Sequence, residues 1–283
     1  MGDFLPAHRL KPILKKNPYK PFLGIKTLID SADIVIVNLE SPITNTGNPD
    51  SLKKYVFHID TSYTKYIKKG GIGGVTIANN HIMDFGITGL KSTLQLLDRY
   101  NIKHTGAGMN IYKAREPMHF IINGYRIGVL AYSLTFPSSF WAGKNKVGTA
   151  YGDERYIKSD IETYRDSFDF LAVALHWGEE LLDSAKSYQK RIAKLAIDTG
   201  ADFVYGHHPH TLQGEEIYKK KLVVFSLGNF SFGTYSESGK GEGIMCEIKP
   251  DSIIYKIIEL EVRPSKCKFS PYPIGSRIIR IEK

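Results

Sequence analysis

A short apolar run that ends in three closely spaced histidines is the feature that most constrains this chain. Residues 202–205 are typical of a buried strand, and Gly206 then leads into His207, His208 and His210. Neutral imidazole is the commonest side-chain metal ligand, and the proline before the last histidine fixes one backbone φ. The stretch therefore predicts a loop of metal ligands at a strand end. The alternative is a surface cluster of histidines that binds no ion.

The same arrangement recurs along the chain. The apolar runs 35–37, 75–78 and 171–175 lead to Asn38 and Glu40, to Asn80 and His81, and to His176, while Asp3 stands near the start of the chain. Loops beyond the carboxyl ends of strands in an open α/β sheet converge on one crevice. Ligand-type residues that are far apart in sequence are therefore expected to meet in one site.

The order of elements predicts one α/β unit over residues 1–263. Buried strands are expected at 33–39, 72–78, 169–175, 202–205 and 222–227, and helices at 22–30, 61–69, 86–100, 154–166 and 184–199. The other expectations are a loop at 44–54, a hairpin over 118–132, a functional loop or lid at 133–152, antiparallel strands at 242–248 and 253–262, and a wrapping or poorly ordered tail at 264–283.

Charge and hydropathy restrict the function classes. The net charge of +9 indicates either a solvated basic surface or attraction to an anionic substrate. No nucleic-acid-binding signature accompanies this charge, so nucleic acid is not an expected partner. The sequence has no signal peptide and no run of 18 apolar residues, which favours a soluble, cytoplasmic chain. An upstream strand or membrane anchor would lie outside the residues given.

Six motifs occur in order along the chain: Gly2-Asp3, Asn38-Leu39-Glu40-Ser41-Pro42, Ala78-Asn79-Asn80-His81 with Asp84-Phe85-Gly86, His176-Trp177-Gly178, Gly206-His207-His208-Pro209-His210, and Ser226-Leu227-Gly228-Asn229-Phe230. This set resembles the CapA-like (poly-gamma-glutamate capsule synthesis) proteins, which look like a branch of the calcineurin-like metallophosphoesterase superfamily. The resemblance runs from about residue 2 to about residue 250. Relatives in this family are often membrane-anchored, in contrast to the chain given.

The resemblance implies a four-layer βαβαβ sandwich, with two mixed sheets flanked by helices, and a centre of two divalent metals. The implied ligands are Asp3, Glu40, Asn80, His176, His207 and His210, with Glu40 bridging both ions. His81 would be the acid, and Asn38 and Asn229 would orient ligands. A hydroxide bridging the ions would be the nucleophile. Mixed nitrogen and oxygen ligands suit Mn, Fe or Zn better than Ca or Mg.

The chain departs from the superfamily pattern near its start. A histidine usually follows the first aspartate by two residues, but Leu5 stands there, and His8 is a candidate substitute, a phosphate-facing group or a surface residue. The first metal site is therefore expected to be weak or empty. His208 is an alternative ligand. The favoured interpretation is that it lies behind the ligands and does not itself bind metal. Asp84 is expected to cap or enter a helix rather than to bind metal.

Three functions are compatible with these residues. The first is a metal-dependent phosphoesterase acting on a phosphorylated small molecule or a cell-surface polymer precursor. The second is a weakly catalytic or non-catalytic component of poly-gamma-glutamate synthesis or export, within a membrane-associated complex, that binds the anionic polymer. The third is a metal-dependent hydrolase or transferase of glutamyl amide bonds. A complete site with both metals and His81 would favour the phosphoesterase.

Overall fold

The computed structural model describes residues 1–234 and 240–282. Its strands are β1 (Asp3–Leu5), β2 (Val35–Leu39), β3 (Ile72–Thr76), β4 (Lys103–Thr105), β5 (Ala107–Gly108), β6 (Met118–Ile122), β7 (Tyr125–Ser133), β8 (Gly148–Thr149), β9 (Phe170–His176), β10 (Phe203–His207), β11 (Glu215–Tyr218), β12 (Lys221–Val224), β13 (Asn229–Phe232), β14 (Lys240–Ile248), β15 (Ser252–Glu261) and β16 (Tyr272–Glu282). Its α-helices are α1 (Lys11–Lys16), α2 (Lys26–Asp30), α3 (Thr64–Lys69), α4 (Gly86–Arg99), α5 (Ile111–Ala114), α6 (Glu154–Tyr164), α7 (Ser187–Thr199) and α8 (Pro264–Cys267). The 3-10 helices are His8–Leu10, Lys20–Ile25, Thr61–Tyr63, Ser138–Phe140 and Arg165–Ser167.

Two sheets form the centre of the fold. The first has the strand order β13-β1-β2-β3-β4, and its neighbouring strands all run parallel. The second has the order β11-β12-β10-β9-β7-β6, with antiparallel edge strands on a parallel centre. The prediction of an α/β fold with sheets flanked by helices is confirmed. Only the second sheet is mixed, because the predicted hairpin supplies one of its edges.

The layers follow from alternation along the buried strands. In β9, Leu171, Val173 and Leu175 pack with α6 and α7. Phe170 and Ala172 lie in another cluster, which includes Ala78 after β3 and residues of β15 and β16. Successive side chains of a strand point to opposite faces, so a strand that is apolar at every position requires cover on both sides. The second sheet therefore has helices on one face, and the opposite face packs against the first sheet and against β15 and β16.

The two sheets approach each other closely at Gly74 in β3. A Cβ atom at this position would lie 3.0 Å from the Phe120 ring and 3.2 Å from the sulfur of Met118, both on β6. A larger residue would push β6 away from β3. The glycine thus permits the close packing that holds the strand ends of both sheets in one place.

A third sheet, of order β14-β15-β16, contains much of the segment that was expected to be a tail. Strand β16 pairs with β15 from Tyr272 opposite Glu261 to Glu282 opposite Ser252. The prolines of this segment suggested a break in regular structure, yet Pro273 is tolerated because β16 is an edge strand. The segment is therefore paired rather than poorly ordered. The boundary at residue 263 stays a prediction.

Residues 133–152 form a loop with internal contacts beside the strand ends. The rings of Trp141 and Tyr151 stack with centroids 3.8 Å apart, and the Trp141 indole donates to the Thr135 carbonyl at 3.1 Å. This loop can therefore keep one shape next to the site. Among the helices of residues 1–234 and 240–282, none has the length and apolarity needed to cross a membrane.

Candidate metal centre

The carboxyl ends of β2, β9 and β10 and the first residue of β1 meet at one buried point. Asp3 on β1 lies opposite Asn38 on β2, and His176 on β9 lies opposite His207 on β10. All four side chains are buried. The structure therefore brings these residues together, as the sequence predicted. The reason is that the ends of parallel strands lie at the same edge of each sheet.

Asp3, Glu40 and His210 form one group that could bind a cation. Each offers a ligand atom, and these atoms lie within 4.8 Å of one another. His210 Nδ1 is 3.1 Å from Asp3 Oδ2, and His210 Nε2 is 3.7 Å from Glu40 Oε1. The group contains two carboxylates and one imidazole, and neither Leu5 nor His8 adds a further ligand atom to it.

Glu40, His176 and His208 form a second group of ligand atoms within 4.8 Å of one another. His176 Nε2 lies 3.7 Å from Glu40 Oε1 and 2.9 Å from Asn80 Oδ1. The rings of His176 and His208 have centroids 4.9 Å apart. Glu40 belongs to both groups, which is the placement required of a carboxylate that bridges two cations.

The three histidines of the 207–210 loop differ in position. His207 Nδ1 lies 2.9 Å from Asp3 Oδ1, but the two atoms lack hydrogen-bond geometry, and neither ring nitrogen of His207 has a hydrogen-bond partner. His208, rather than His207, joins Glu40 and His176. The backbone of His208 and His210 has φ values of 97° and 56°. Such left-handed conformations are strained for residues with a side chain and are common at functional sites.

The residues predicted to orient ligands lie directly behind them. The Asn38 amide donates to Asp3 Oδ1 at 2.9 Å and to Glu40 Oε2 at 3.3 Å. Asn229 Oδ1 is 3.0 Å from His210 Nδ1. Amide groups in these positions fix the orientation of carboxylate and imidazole side chains. His8 does not join them, because it is exposed and packs against the outer side of Phe57.

Burial and neighbouring charges set the protonation of this cluster. Burial, with a contribution from His208, lowers the pKa of His176 well below its ordinary value, and burial with His210 lowers that of His208 to about 3. Burial and Asp3 raise the pKa of Glu40 well above its usual range. Burial raises the pKa of Asp3 as well, but the close approach of His207 and His210 outweighs this effect and holds that pKa low. Burial lowers the pKa of His210, whereas Glu40 and Asp3 raise it to about 9 overall.

These residues fit a metal ion. Buried polar atoms without a hydrogen-bond partner are Glu40 Oε1, both ring nitrogens of His207 and Nδ1 of His208. Buried polar atoms in proteins are almost always hydrogen-bonded, so a bound group is expected to satisfy some of these. Imidazole nitrogens and carboxylate oxygens are donors that a divalent transition metal prefers, and such a metal binds in competition with protons on these groups.

His81 lies beside this cluster and is held by two charged side chains. Its Nδ1 is 2.7 Å from Asp84 Oδ2 and 3.2 Å from the ammonium of Lys53. Lys53 also donates to Asp84 Oδ1 and to the Asn80 carbonyl, each at 2.5 Å. Burial lowers the pKa of His81, an effect that the Asp84 hydrogen bond opposes. With Nδ1 donating to Asp84, Nε2 is the nitrogen left to exchange a proton.

Sequence reasoning missed Lys53 and gave Asp84 a lesser role. Lys53 lies in the loop at 44–54, outside every motif, so no local signal indicated that it reaches His81. Asp84 follows His81 by three residues, which is a signal that could have identified it as the partner of His81. Asp84 also accepts a hydrogen bond from the backbone N–H of Phe57 at 2.8 Å.

A pocket of about 440 Å³ opens onto the second group. Its lining comprises Asn80, Leu134, Thr135, Phe136, Gly178, Glu180, Tyr188 and His208. Three of these residues belong to the loop at 133–152, and Phe136 is 73% exposed. The loop therefore forms one wall of the space in front of the candidate ligands.

Comparison with known proteins identifies the family. The family model described as "Bacterial capsule synthesis protein PGA_cap" matches residues 1–234, which contain every candidate ligand. The chain belongs to this family. PGA_cap membership agrees with the resemblance carried by the six motifs.

Two PGA_cap relatives show how far the likeness extends. "PGA biosynthesis protein CapA" of Bacillus subtilis (strain 168) is 29% identical over 236 residues, which are 82% of this chain and 62% of that protein. A "Probable polyglutamine synthesis accessory protein" of Mycobacterium tuberculosis is 26% identical over 230 residues, 77% of this chain and 60% of that protein. The chain thus spans about three-fifths of the length of these curated relatives.

A solved structure shares the fold of this PGA_cap chain. A hypothetical protein from Thermus thermophilus superposes with a TM-score of 0.52 at 14% identity, covering 98% of both chains. NAD nucleotidase of Haemophilus influenzae gives a TM-score of 0.47 at 11% identity, over 94% of this chain and 50% of that chain. At 14% identity the first likeness concerns the fold alone, and the second is too weak to support a conclusion.

Proposed function

We propose that this chain is a metal-dependent hydrolase of the phosphoesterase type, acting on a phosphorylated small molecule or a cell-surface polymer precursor. The observation that carries the proposal is a buried set of unpartnered ligand atoms centred on Glu40, beside a histidine held by Asp84. Family membership alone does not transfer an activity. The geometry of the site supports this reaction class because ligands, acid and open pocket adjoin one another.

The ligand assignment divides the cluster between two cations. Asp3, Glu40 and His210 would hold one ion, and Glu40, His176 and His208 would hold the other together with Asn80. The resemblance places His207 in the second set instead, and that assignment stays a prediction. When bound, two divalent cations polarise a phosphoryl oxygen and acidify water at neutral pH. Mn, Fe and Zn remain the candidates from the donor types.

The residues around the cluster would supply binding and proton transfer. Asp84 holds His81 so that Nε2 points away from the Asp84 bond, and that nitrogen would give a proton to the leaving oxygen. The Lys53 ammonium donates hydrogen bonds to Asp84 and to the Asn80 carbonyl, and so holds both in place. The pocket formed with the 133–152 loop would hold the organic part of the substrate and limit access of bulk water.

A second function is favoured by the family and by its relatives' names. The chain could serve as a component of poly-gamma-glutamate synthesis or export that binds the anionic polymer, with a metal site of structural use. The net charge of +9 would suit such a ligand. The two candidates differ in whether His81 matters: a polymer-binding role requires no proton donor beside the metals.

The test combines elemental analysis with turnover of p-nitrophenyl phosphate and bis-p-nitrophenyl phosphate in added Mn. We expect about two ions per chain and measurable hydrolysis. His81→Ala should keep the ions and reduce turnover by roughly 10²–10⁴, the usual contribution of an acid–base group. Loss of the ions in His81→Ala would contradict the role assigned to it. Bound metal with no turnover would favour the polymer-binding function.

A further inference from the structure

A second pocket, of about 480 Å³, lies on the side of the molecule where α1 begins. Its lining comprises His8, Arg9, Lys11, Pro12, Val56 and His58. Four of these residues are basic, and no described residue of the lining carries a carboxylate. A concave surface with one sign of charge concentrates ions of the opposite sign. The composition of this lining therefore suits an anion.

Two of the basic groups are held against each other. Lys11 Nζ lies 3.1 Å from His58 Nε2, so the imidazole nitrogen accepts from the ammonium and carries no proton of its own. Burial and Lys11 lower the pKa of His58, and His8 adds to this, while Asp60 opposes it. The Asp60 carboxylate is itself engaged by the backbone and hydroxyl of Ser62. The Lys11 ammonium has three N–H donors, so an anion in the pocket could accept a further hydrogen bond from it.

One aromatic ring separates this pocket from the candidate metal centre. The ring of Phe57 has its centroid 4.9 Å from that of His8 and 4.3 Å from that of His81. On the same side, the backbone of Arg9 donates to Gly233 at 3.0 Å, next to Phe232, whose ring centroid is 4.4 Å from that of His210. The same strand ends thus support both the pocket and the cluster.

We propose that the pocket lined by His8, Arg9, Lys11 and His58 is an anion subsite that takes one anionic oxygen group of an extended substrate whose reacting group occupies the metal centre. The proposal rests on the proposed function for the reacting group, and it adds the substrate class: a chain with more than one acidic group. Carboxylates of a γ-linked glutamyl chain and phosphates of a phosphorylated precursor share this chemistry. Experiments with each kind of anion distinguish them.

The test measures binding to the full chain as purified, at pH 7 and low ionic strength. The probes are a fluorescent γ-linked glutamate hexamer, followed by anisotropy, and tripolyphosphate, followed as a competitor. Lys11→Ala should raise the Kd of the bound probe about tenfold, the effect of one lost charge-assisted contact. Lys16→Ala is the matched control, because it removes the same charge from α1 but does not line the pocket. Its Kd should stay within about twofold of the original, the scatter expected of an exposed charge.

A second readout uses the unaltered chain. Nuclear magnetic resonance of the imidazoles should show the pKa of His58 rising when the preferred probe is added, because an anion beside Lys11 offsets the ammonium. The probe that gives this shift identifies the subsite as one for carboxylates or for phosphates. Equal Kd values for Lys11→Ala and Lys16→Ala, or an unchanged His58 with both probes, would overturn the proposal. Because these assays measure binding, probe capture through the pocket without phosphoester turnover contradicts the proposed function alone.

Discussion

At the scale of single residues, two adjacent histidines are assigned differently by motif and by geometry. His207 contacts Asp3, whereas His208 shares a group of ligand atoms with Glu40 and His176. A ligand must place a nitrogen where the other donors converge, so position outweighs motif here. The two rings offer the same chemistry, so their roles must be distinguished by substituting each residue in turn.

We expect His208→Ala to lose about one ion per chain and His207→Ala to keep its metal content. The first substitution removes an imidazole from the four-residue ligand set of Glu40, His176, His208 and Asn80. The second removes a ring that lies against Asp3, which belongs to the other group. Elemental analysis after gel filtration measures both. The reverse result would show that the motif-based assignment of His207 is right and that the geometric one is wrong.

The resemblance implied six ligands, and the structure gathers their side chains: Asp3, Glu40, Asn80, His176, His207 and His210. Lys53 could not be predicted in this way. Its ammonium reaches His81 only because the loop at 44–54 folds back over residues about 30 positions away. Such a contact depends on the path of a loop, which no periodicity in the sequence specifies.

At the scale of elements, β16 shows where sequence patterns fail. Its side chains are mostly exposed, and Pro273 with the prolines before it suggested irregular structure, yet the strand pairs along its length with β15. Edge strands have a weak sequence signal because half of their backbone groups and one face meet solvent. The central strand β9 is apolar throughout and was readily predicted.

Strand β16 should contribute to stability through its few buried residues. Ile281 is 8% exposed and packs with the core between the sheets, so Ile281→Ala should destabilise the fold by about 2–3 kcal/mol. On the same strand Ile278 is 68% exposed, and Ile278→Ala should change the free energy of unfolding by no more than about 0.5 kcal/mol. Urea denaturation measures both. Equal effects would mean that β16 does not pack as described.

At the scale of the whole molecule, two sheets and the loops between them place both candidate metal groups around one carboxylate. The group of Asp3, Glu40 and His210 has fewer protein ligands than the group of Glu40, His176, His208 and Asn80. The two sites are therefore expected to differ in affinity. The resemblance leads to the same expectation, because Leu5 stands where the metallophosphoesterase superfamily usually has a histidine.

The weaker site should also depend on pH. Glu40 and Asp3 raise the pKa of His210 to about 9, so at pH 7 the imidazole is protonated and a cation must displace that proton. Metal binding and proton binding then compete, and affinity rises with pH by about tenfold per unit until the pKa is reached. Mn binding followed by chelator competition between pH 7 and about 8.5 measures the slope. His210→Gln retains an oxygen ligand but has no titrating ring. In this variant the slope of log Kd against pH should decrease by the contribution of one proton. A Kd that is independent of pH in the unaltered chain would mean that His210 does not bind the metal.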